Sequence, residues 1–229
     1  MLGIDDQRDV TVKSNKRPGR QLKSILPIGR SEVLWLNTHD FLPAKPVPGA
    51  ECRVLGAADI ARLSTIKDFN IDQRLVKDFK EHGFDCIAMF VNNELAGLTL
   101  FAGSHLPAHY NRPDERFKGL DIVLPPGTRC LFKAVVLPKF RGQRLHSAVV
   151  RYAIDHFGKD TVHTLVSTCD TANKAYLSSS LDQGFERVGK FTEFKLPGKS
   201  LYKICKPVDA LSGAASDDID GSIVLMKAA

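Results

Sequence analysis

The stretch Val135-Val136-Leu137-Pro138-Lys139-Phe140-Arg141-Gly142-Gln143-Arg144-Leu145-His146-Ser147-Ala148 constrains this chain more than any other. A short apolar run reads as a strand, and Pro138 ends it because proline has no amide to give to a ladder. A basic, glycine-containing turn then leads straight into an amphipathic helix. At about 100° per residue, Leu145, Ala148, Val149, Tyr152, Ala153 and His156 share one face, widened by Val150, Ile154 and Phe157. Arg144, Ser147, Arg151 and Asp155 line the opposite side. So wide an apolar stripe calls for a helix laid against a sheet. The first-turn amides of a helix have no partner within it, so a strand, turn and helix start in this order offer a seat for a phosphate.

Periodicity places further elements on either side. CRVL suits a strand, and ADIARLSTI and IDQRLVKDFKEHG suit two helices, the second with Ile71, Leu75 and Phe79 on one face and Gly83 as its cap. CIAMFV and ELAGLTLFAG flank Asn92-Asn93 as a hairpin, since asparagine tolerates positive φ. Residues 105–129 form a long polar, proline-rich connection of the kind that carries function or stays disordered. VHTLVSTCD predicts a strand and TANKAYLSSSLDQGF a helix ended by Gly184. ERVGKFTEFKL and SLYKICKP predict two closing strands, and SIVLMKAA could add an edge strand. Upstream, SEVLWLNTHDFL either forms a strand or packs Trp35 on the domain, and Pro43, Pro46, Pro48 and Gly49 mark a boundary near residue 50. The expected organisation is a basic extension with a Pro-rich linker (1–50), one domain (51–207) and a tail (208–229).

Composition narrows the setting. The five cysteines are odd in number and scattered, with no CxxC pair, which points to reduced thiols and not to a disulfide framework or zinc knuckle. The polar start has no signal-peptide core, and no charge-free stretch reaches membrane-spanning length, so a soluble cytoplasmic protein is expected. Lys16, Arg17, Arg20 and Lys23 sit in a run without acidic residues, but no aromatics interleave them, so a solvated leader is expected and not a nucleic-acid arm. The GxxxxGK[ST], HExxH and GxSxG motifs are absent. Cys169-Asp170 with His163 reads as a buried strand cysteine before it reads as a thiol nucleophile.

Across roughly residues 51–206 the chain resembles the GNAT (Gcn5-related N-acetyltransferase) superfamily. Three features carry the resemblance: the order of elements, the similarity of VLPKFRGQRLHSAVV to the family's V-x-P-x-[FY]-R-G-x-G-x-G-x-x-L segment, and Asn173 followed by a short helix and Gly184-Phe185. The resemblance implies an α/β (α+β) fold, with a mixed, mostly antiparallel central sheet flanked by helices on both faces. It implies acetyl-CoA as co-substrate, no metal, and direct attack by an amine of a small molecule or peptide. A non-catalytic acyl-CoA-binding module of the same fold is the alternative. Neither a membrane nor nucleic acid is an expected partner, and a homodimer is compatible with the reading.

The implied cofactor-binding positions are Val136, Leu137, Arg141, Gly142, Gln143, Arg144, Leu145, His146, Ser147 and Asn173. Leu137 and Ser180 are the implied catalytic ones. In the family the strand splays here from its neighbour and frees backbone groups for the pantetheine and the thioester carbonyl. Arg144 and His146 stand where the family has glycines. Amides can still be donated there if the backbone is helical with negative φ. Arg144 either pairs with a phosphate or is solvated, and a packing role is expected for His146. Ser180 stands where many members carry an acidic tyrosine, and Tyr176 lies one helical turn earlier. Candidates for a base are His105, His109, Asp121 and Glu94, and the acceptor is expected to be selected by residues 105–129 and the leader.

Overall fold

The computed structural model describes residues 28–112, 114–196, 199–205 and 223–224, with side chains described over 28–112 and 114–195. The basic run up to Lys23 and the acidic residues 217–220 lie outside the described residues. In chain order the first half holds β1 (Ile28–Asn37), β2 (Ala50–Leu55), α1 (Ala57–Leu63), α2 (Gln73–Glu81), β3 (Asp85–Val91), β4 (Glu94–Ala102), β5 (His105–Leu106) and β6 (Ile122–Val123). The second half holds β7 (Thr128–Val136), α3 (Leu145–Phe157), β8 (Thr164–Asp170), α4 (Lys174–Leu181), β9 (Glu186–Leu196), β10 (Lys199–Cys205) and β11 (Ile223–Val224).

Eight strands form one sheet in the order β10-β9-β1-β8-β7-β4-β3-β2. Every adjacent pair is antiparallel except β7 and β8. A parallel pair needs a crossover, and α3, the helix read from its apolar stripe, supplies it. The sheet is therefore mixed and mostly antiparallel, with helices on both faces. On one face Ile60, Leu63, Leu75 and Phe79 of α1 and α2 pack with Leu98, Leu100, Cys130, Phe132 and Val166. On the other, Leu145, Val149, Val150, Ala153 and Ile154 of α3 and Leu177 of α4 pack with Leu34, Phe101, Leu131 and Leu165. The period-2 alternation along β7, with Cys130 and Phe132 on one side and Leu131 on the other, assigns each face its own layer.

The SEVLWLN part of SEVLWLNTHDFL belongs to β1, which lies inside the sheet, and Thr38–Asp40 form a 3-10 turn after it. Trp35 registers with Val166 of β8 on one side and Glu186 of β9 on the other. The proline-rich segment after it does not separate β1 from the domain. Its Ala44 amide donates to Ser147 Oγ at 3.0 Å, tying the segment to the first turn of α3. The Asn92-Asn93 turn has φ of 50° and 66°, the pair of left-handed residues a two-residue hairpin requires.

The described residues of the connection at 105–129 carry two short strands. β5 and β6 pair within it, and β11 adds to β6 in parallel, which is where the SIVLMKAA segment forms its edge strand. Leu106, Leu120, Ile122 and Leu124 enter the core on the α1/α2 side. The fully buried Glu193 of β9 accepts from the Lys118 and Gly119 amides at 3.0 and 3.1 Å, fastening the connection to the sheet.

Gly97 of β4 lies against β7. A Cβ there would come within 2.7 Å of Met89 Cε and press on the Val135 carbonyl oxygen. Gly97→Ala is expected to lower stability by about 1–3 kcal/mol, the usual cost of overpacking. Urea unfolding of the two proteins checks this, and an unchanged midpoint would show that β4 and β7 can move apart freely.

Candidate active site

β7 and β8 pair only from Thr128↔Thr164 to Leu131↔Ser167. Both strands continue beyond, β7 held by β4 alone and β8 by β1 alone. The sheet is thus split at Leu131/Ser167 and opens toward the C-terminal ends of both strands. Lys133, just past the split, has φ of 49°, and the β4–β7 register shifts between Leu98 and Leu100, so a bulge bends β7 at the point of parting.

The amides along the open edge decide which groups a ligand could meet. Leu137 donates its amide to Ala96 O at 2.8 Å. That N–H, expected to be free for a ligand, is spent on β4. Antiparallel alternation turns the N–H and C=O of the neighbouring Val136 away from β4, into the split. The Val136 carbonyl accepts from Arg141 Nε at 3.1 Å, so Arg141 clamps the turn onto the strand end.

The turn that follows leaves a run of backbone amides free. The Arg141 amide goes to Pro138 O and the Ser147 amide to Arg144 O. Between them, among the described residues, the amides of Gly142, Gln143, Arg144, Leu145 and His146 meet no acceptor. Gly142 (φ 79°) and Arg144 (φ 58°) are left-handed, and successive amides around such residues form a concave nest for an anion. The nest also lies at the positive end of α3, a term of about 0.3–1 kcal/mol for a bound charge at an exposed site.

Negative φ at Arg144 is therefore the second expectation corrected: the residue N-caps α3 in the left-handed region that glycine adopts without strain. Arg144→Gly is expected to stabilise the fold by about 1 kcal/mol by releasing that strain. The melting temperature should rise by about 2–4 °C for a domain of this size. A lower melting temperature would mean that the arginine side chain contributes more than its backbone costs.

Behind the nest lies a buried polar cluster. His146 Nδ1 lies 2.9 Å from Gln183 Nε2, and its Nε2 is buried without a partner. Burial pushes the imidazole down to about 4, so it is neutral at physiological pH. Its ring packs 4.9 Å from that of Tyr176, in agreement with a packing role. The Tyr176 hydroxyl is 2.8 Å from Ser167 Oγ, and Ser167 in turn lies 3.3 Å from Leu131 O. Tyr176 thus reaches the vertex of the split. Burial raises its pKa, while the nearby Ser167 and Ser180 hydroxyls pull it down. Ser180 is fully buried, and its Oγ makes no hydrogen bond of good geometry. Asn173 caps α4, its side-chain oxygen accepting from the Tyr176 amide at 3.2 Å.

The remaining candidates separate. Glu94 pairs with Lys139 at the exposed hairpin turn. His105 and Asp121 pair with each other at 3.1 Å. His109 pairs with Asp78 at 3.2 Å, and nothing in the sequence had joined these two. Cys169 is buried with its thiol pushed up to about 11 by burial, which leaves it inert as a nucleophile. At the C-terminal end of β8, where it pairs with β1, Gly29, Arg30, Asp114, Arg116, Phe117 and Asp170 line a pocket of about 340 Å³. Arg30 belongs to β1, which sequence reasoning set outside the domain.

Fold and site together define a mixed α/β domain whose sheet splits beside an anion nest. No family model matches the chain, and no curated protein is similar to it. Among solved structures it is similar to a GCN5-related N-acetyltransferase from Kribbella flavida, at 12% identity over 80% of this chain and 65% of that one, with a TM-score of 0.49. It is similar to a functionally unknown conserved protein from Staphylococcus epidermidis ATCC 12228, at 12% identity over 85% and 70%, TM-score 0.47. It is also similar to glucosamine-6-phosphate N-acetyltransferase from Arabidopsis thaliana, at 14% identity over 57% and 89%, TM-score 0.37.

Proposed function

We propose that the chain is an acyl-CoA-dependent N-acyltransferase, moving acetyl from acetyl-CoA to an amine of a small molecule or peptide by direct attack. The observation that carries this reading is the run of five unengaged amides, Gly142 to His146, directly after the strand end that has parted from β8. A CoA pyrophosphate fits the nest, and the pantetheine, an extended chain with its own amides, fits the open edge of β7. The Val136 amide, turned into the split, meets the thioester oxygen and stabilises it as charge develops. Tyr176 serves the departing sulfur, with Ser180 behind it as a supporting hydroxyl in place of a direct acid. The acceptor enters through the pocket by Arg30 and Asp170.

Holding the two reactants in line supplies much of the acceleration, and no acyl-enzyme is needed. Cys52, Cys86, Cys130 and Cys169 are free thiols, which fits a reducing compartment such as the cytoplasm. No helix among the described residues is long and apolar enough to cross a membrane.

A non-catalytic acyl-CoA-binding module is the second reading, favoured by the burial of Ser180 and the strained Arg144. Calorimetric titration with acetyl-CoA, followed by a thiol-release assay over a panel of primary amines, separates the two. Binding with turnover supports the enzyme, and binding without turnover supports the module. Absence of acetyl-CoA binding would sink both.

A further inference from the structure

Opposite Tyr176, on the α1/α2 face, the structure holds a second polar assembly. Asp78 of α2 has a side chain only 12% exposed, yet its Oδ2 receives two groups: His109 Nε2 at 3.2 Å and the Tyr110 hydroxyl at 2.9 Å. A carboxylate accepting from Nε2–H fixes the imidazole tautomer and leaves Nδ1 as the basic nitrogen. Nδ1 makes no protein hydrogen bond among the described residues, and the His109 side chain is 28% exposed, so it is within reach of solvent and ligand.

The assembly is fixed to the vertex of the split. The Tyr110 ring lies 5.2 Å from that of Phe132, and Phe84 packs against both, at 5.8 and 4.8 Å. Phe132 is the first residue of β7 past its last pairing with β8. His109 and Tyr110 belong to the connection at 105–129, which β5, β6 and Glu193 hold in place. Tyr176 therefore approaches the vertex from the α3/α4 face, and on the other face Tyr110 links the vertex residue Phe132 to the Asp78–His109 pair, its ring 4.0 Å from that of His109.

We propose that His109 is the general base of the acyl transfer, with Asp78 as its positioning residue. The inference rests on the acyltransferase reading above. As the amine nitrogen bonds to the thioester carbon, its proton passes to His109 Nδ1. As the C–S bond breaks, the sulfur takes a proton from the Tyr176 hydroxyl, and solvent returns the proton from His109 to Tyr176. The charges facing the imidazole are Asp78 and Arg74 from α2 and Arg112 from its own segment, with the neutral Tyr110 hydroxyl beside them. Burial lowers its pKa from 6.5, Arg74 and Arg112 lower it too, and Asp78 opposes them. The imidazole is therefore unprotonated, and so competent as a base, at neutral pH. Activity should rise with pH along a limb lying below 6.5.

The test uses the full chain, acetyl-CoA, and spermidine, a lysine peptide and an arylalkylamine as acceptors. His109→Ala is expected to lower kcat/KM for the amine by about 10²-fold and to abolish the acidic limb. Added imidazole should restore turnover, which it would not do for a merely structural histidine, and the Kd for acetyl-CoA should be unchanged. Asp78→Asn should lower kcat and move the limb to still lower pH, since the group that holds the pKa up is gone. Wild-type rate and limb in His109→Ala would overturn the assignment. So would acetyl-CoA binding by the wild type with no turnover of any amine, whereas no acetyl-CoA binding at all overturns the acyltransferase reading beneath it.

Discussion

Replacing Tyr176 by phenylalanine is expected to lower kcat for acetyl transfer by about 10²–10⁴-fold, the range for loss of a positioned proton donor. Its hydroxyl reaches Ser167 at the point where β7 and β8 part. A thiol of ordinary pKa, about 8.5, is a tolerable leaving group, so the reaction slows without stopping. The Tyr176 pKa lies above its ordinary value, so the hydroxyl keeps its proton throughout the working range and the basic limb of the rate profile should not be its own. Phenylalanine preserves the ring that packs on His146, so acetyl-CoA affinity should hold. Ser180→Ala, by contrast, should cost under tenfold, because Ser180 Oγ makes no hydrogen bond of good geometry and acts only through its neighbour Tyr176. Stopped-flow thiol release on the three proteins checks the order. A Tyr176→Phe enzyme as fast as wild type, or a Ser180→Ala enzyme as slow as the expected Tyr176→Phe, would remove Tyr176 from the chemistry.

The second large effect falls on binding. Gly142→Pro should weaken acetyl-CoA by at least about 100-fold, roughly 2.7 kcal/mol. Proline removes one of the five free amides and demands φ near −65°, where Gly142 has 79°. Gly142→Ala is the informative companion. A Cβ at this position meets nothing within 4 Å, so any loss in that variant reports backbone strain alone, and it should be smaller. Calorimetry with acetyl-CoA measures both. Unchanged affinity in the proline variant would place the phosphates away from the nest.

Much of this site was legible in the sequence, because its parts are local. The α3 stripe, the proline that ends β7 and the Asn92-Asn93 turn all declare themselves within a few residues, where periodicity and φ preference operate. What was misread depends on distant partners. Whether the Leu137 amide is free is decided by Ala96, far away in the chain and on another strand. Arg144 stands where the resemblance puts a glycine, but as a residue type arginine normally avoids the left-handed region that it adopts here. Tyr176 and Ser167 are ordinary residues of a helix and a strand until the end of β7–β8 pairing gives them a position. Asp78 and His109 lie on different elements, and only the fold of the 105–129 connection joins them.

The place of β1 bears on how the protein is made. This strand is synthesised before every other described element, yet its two neighbours, β8 and β9, are among the last to leave the ribosome. Through most of synthesis an amphipathic strand has neither ladder partner, and such non-local pairing is slow to close and open to aggregation meanwhile. A nascent chain arrested before residue 164 should stay sensitive to protease in this segment and lose that sensitivity only once β8 and β9 emerge. The pocket lined by Gly29 and Arg30 of this same strand is then completed only as β8 docks.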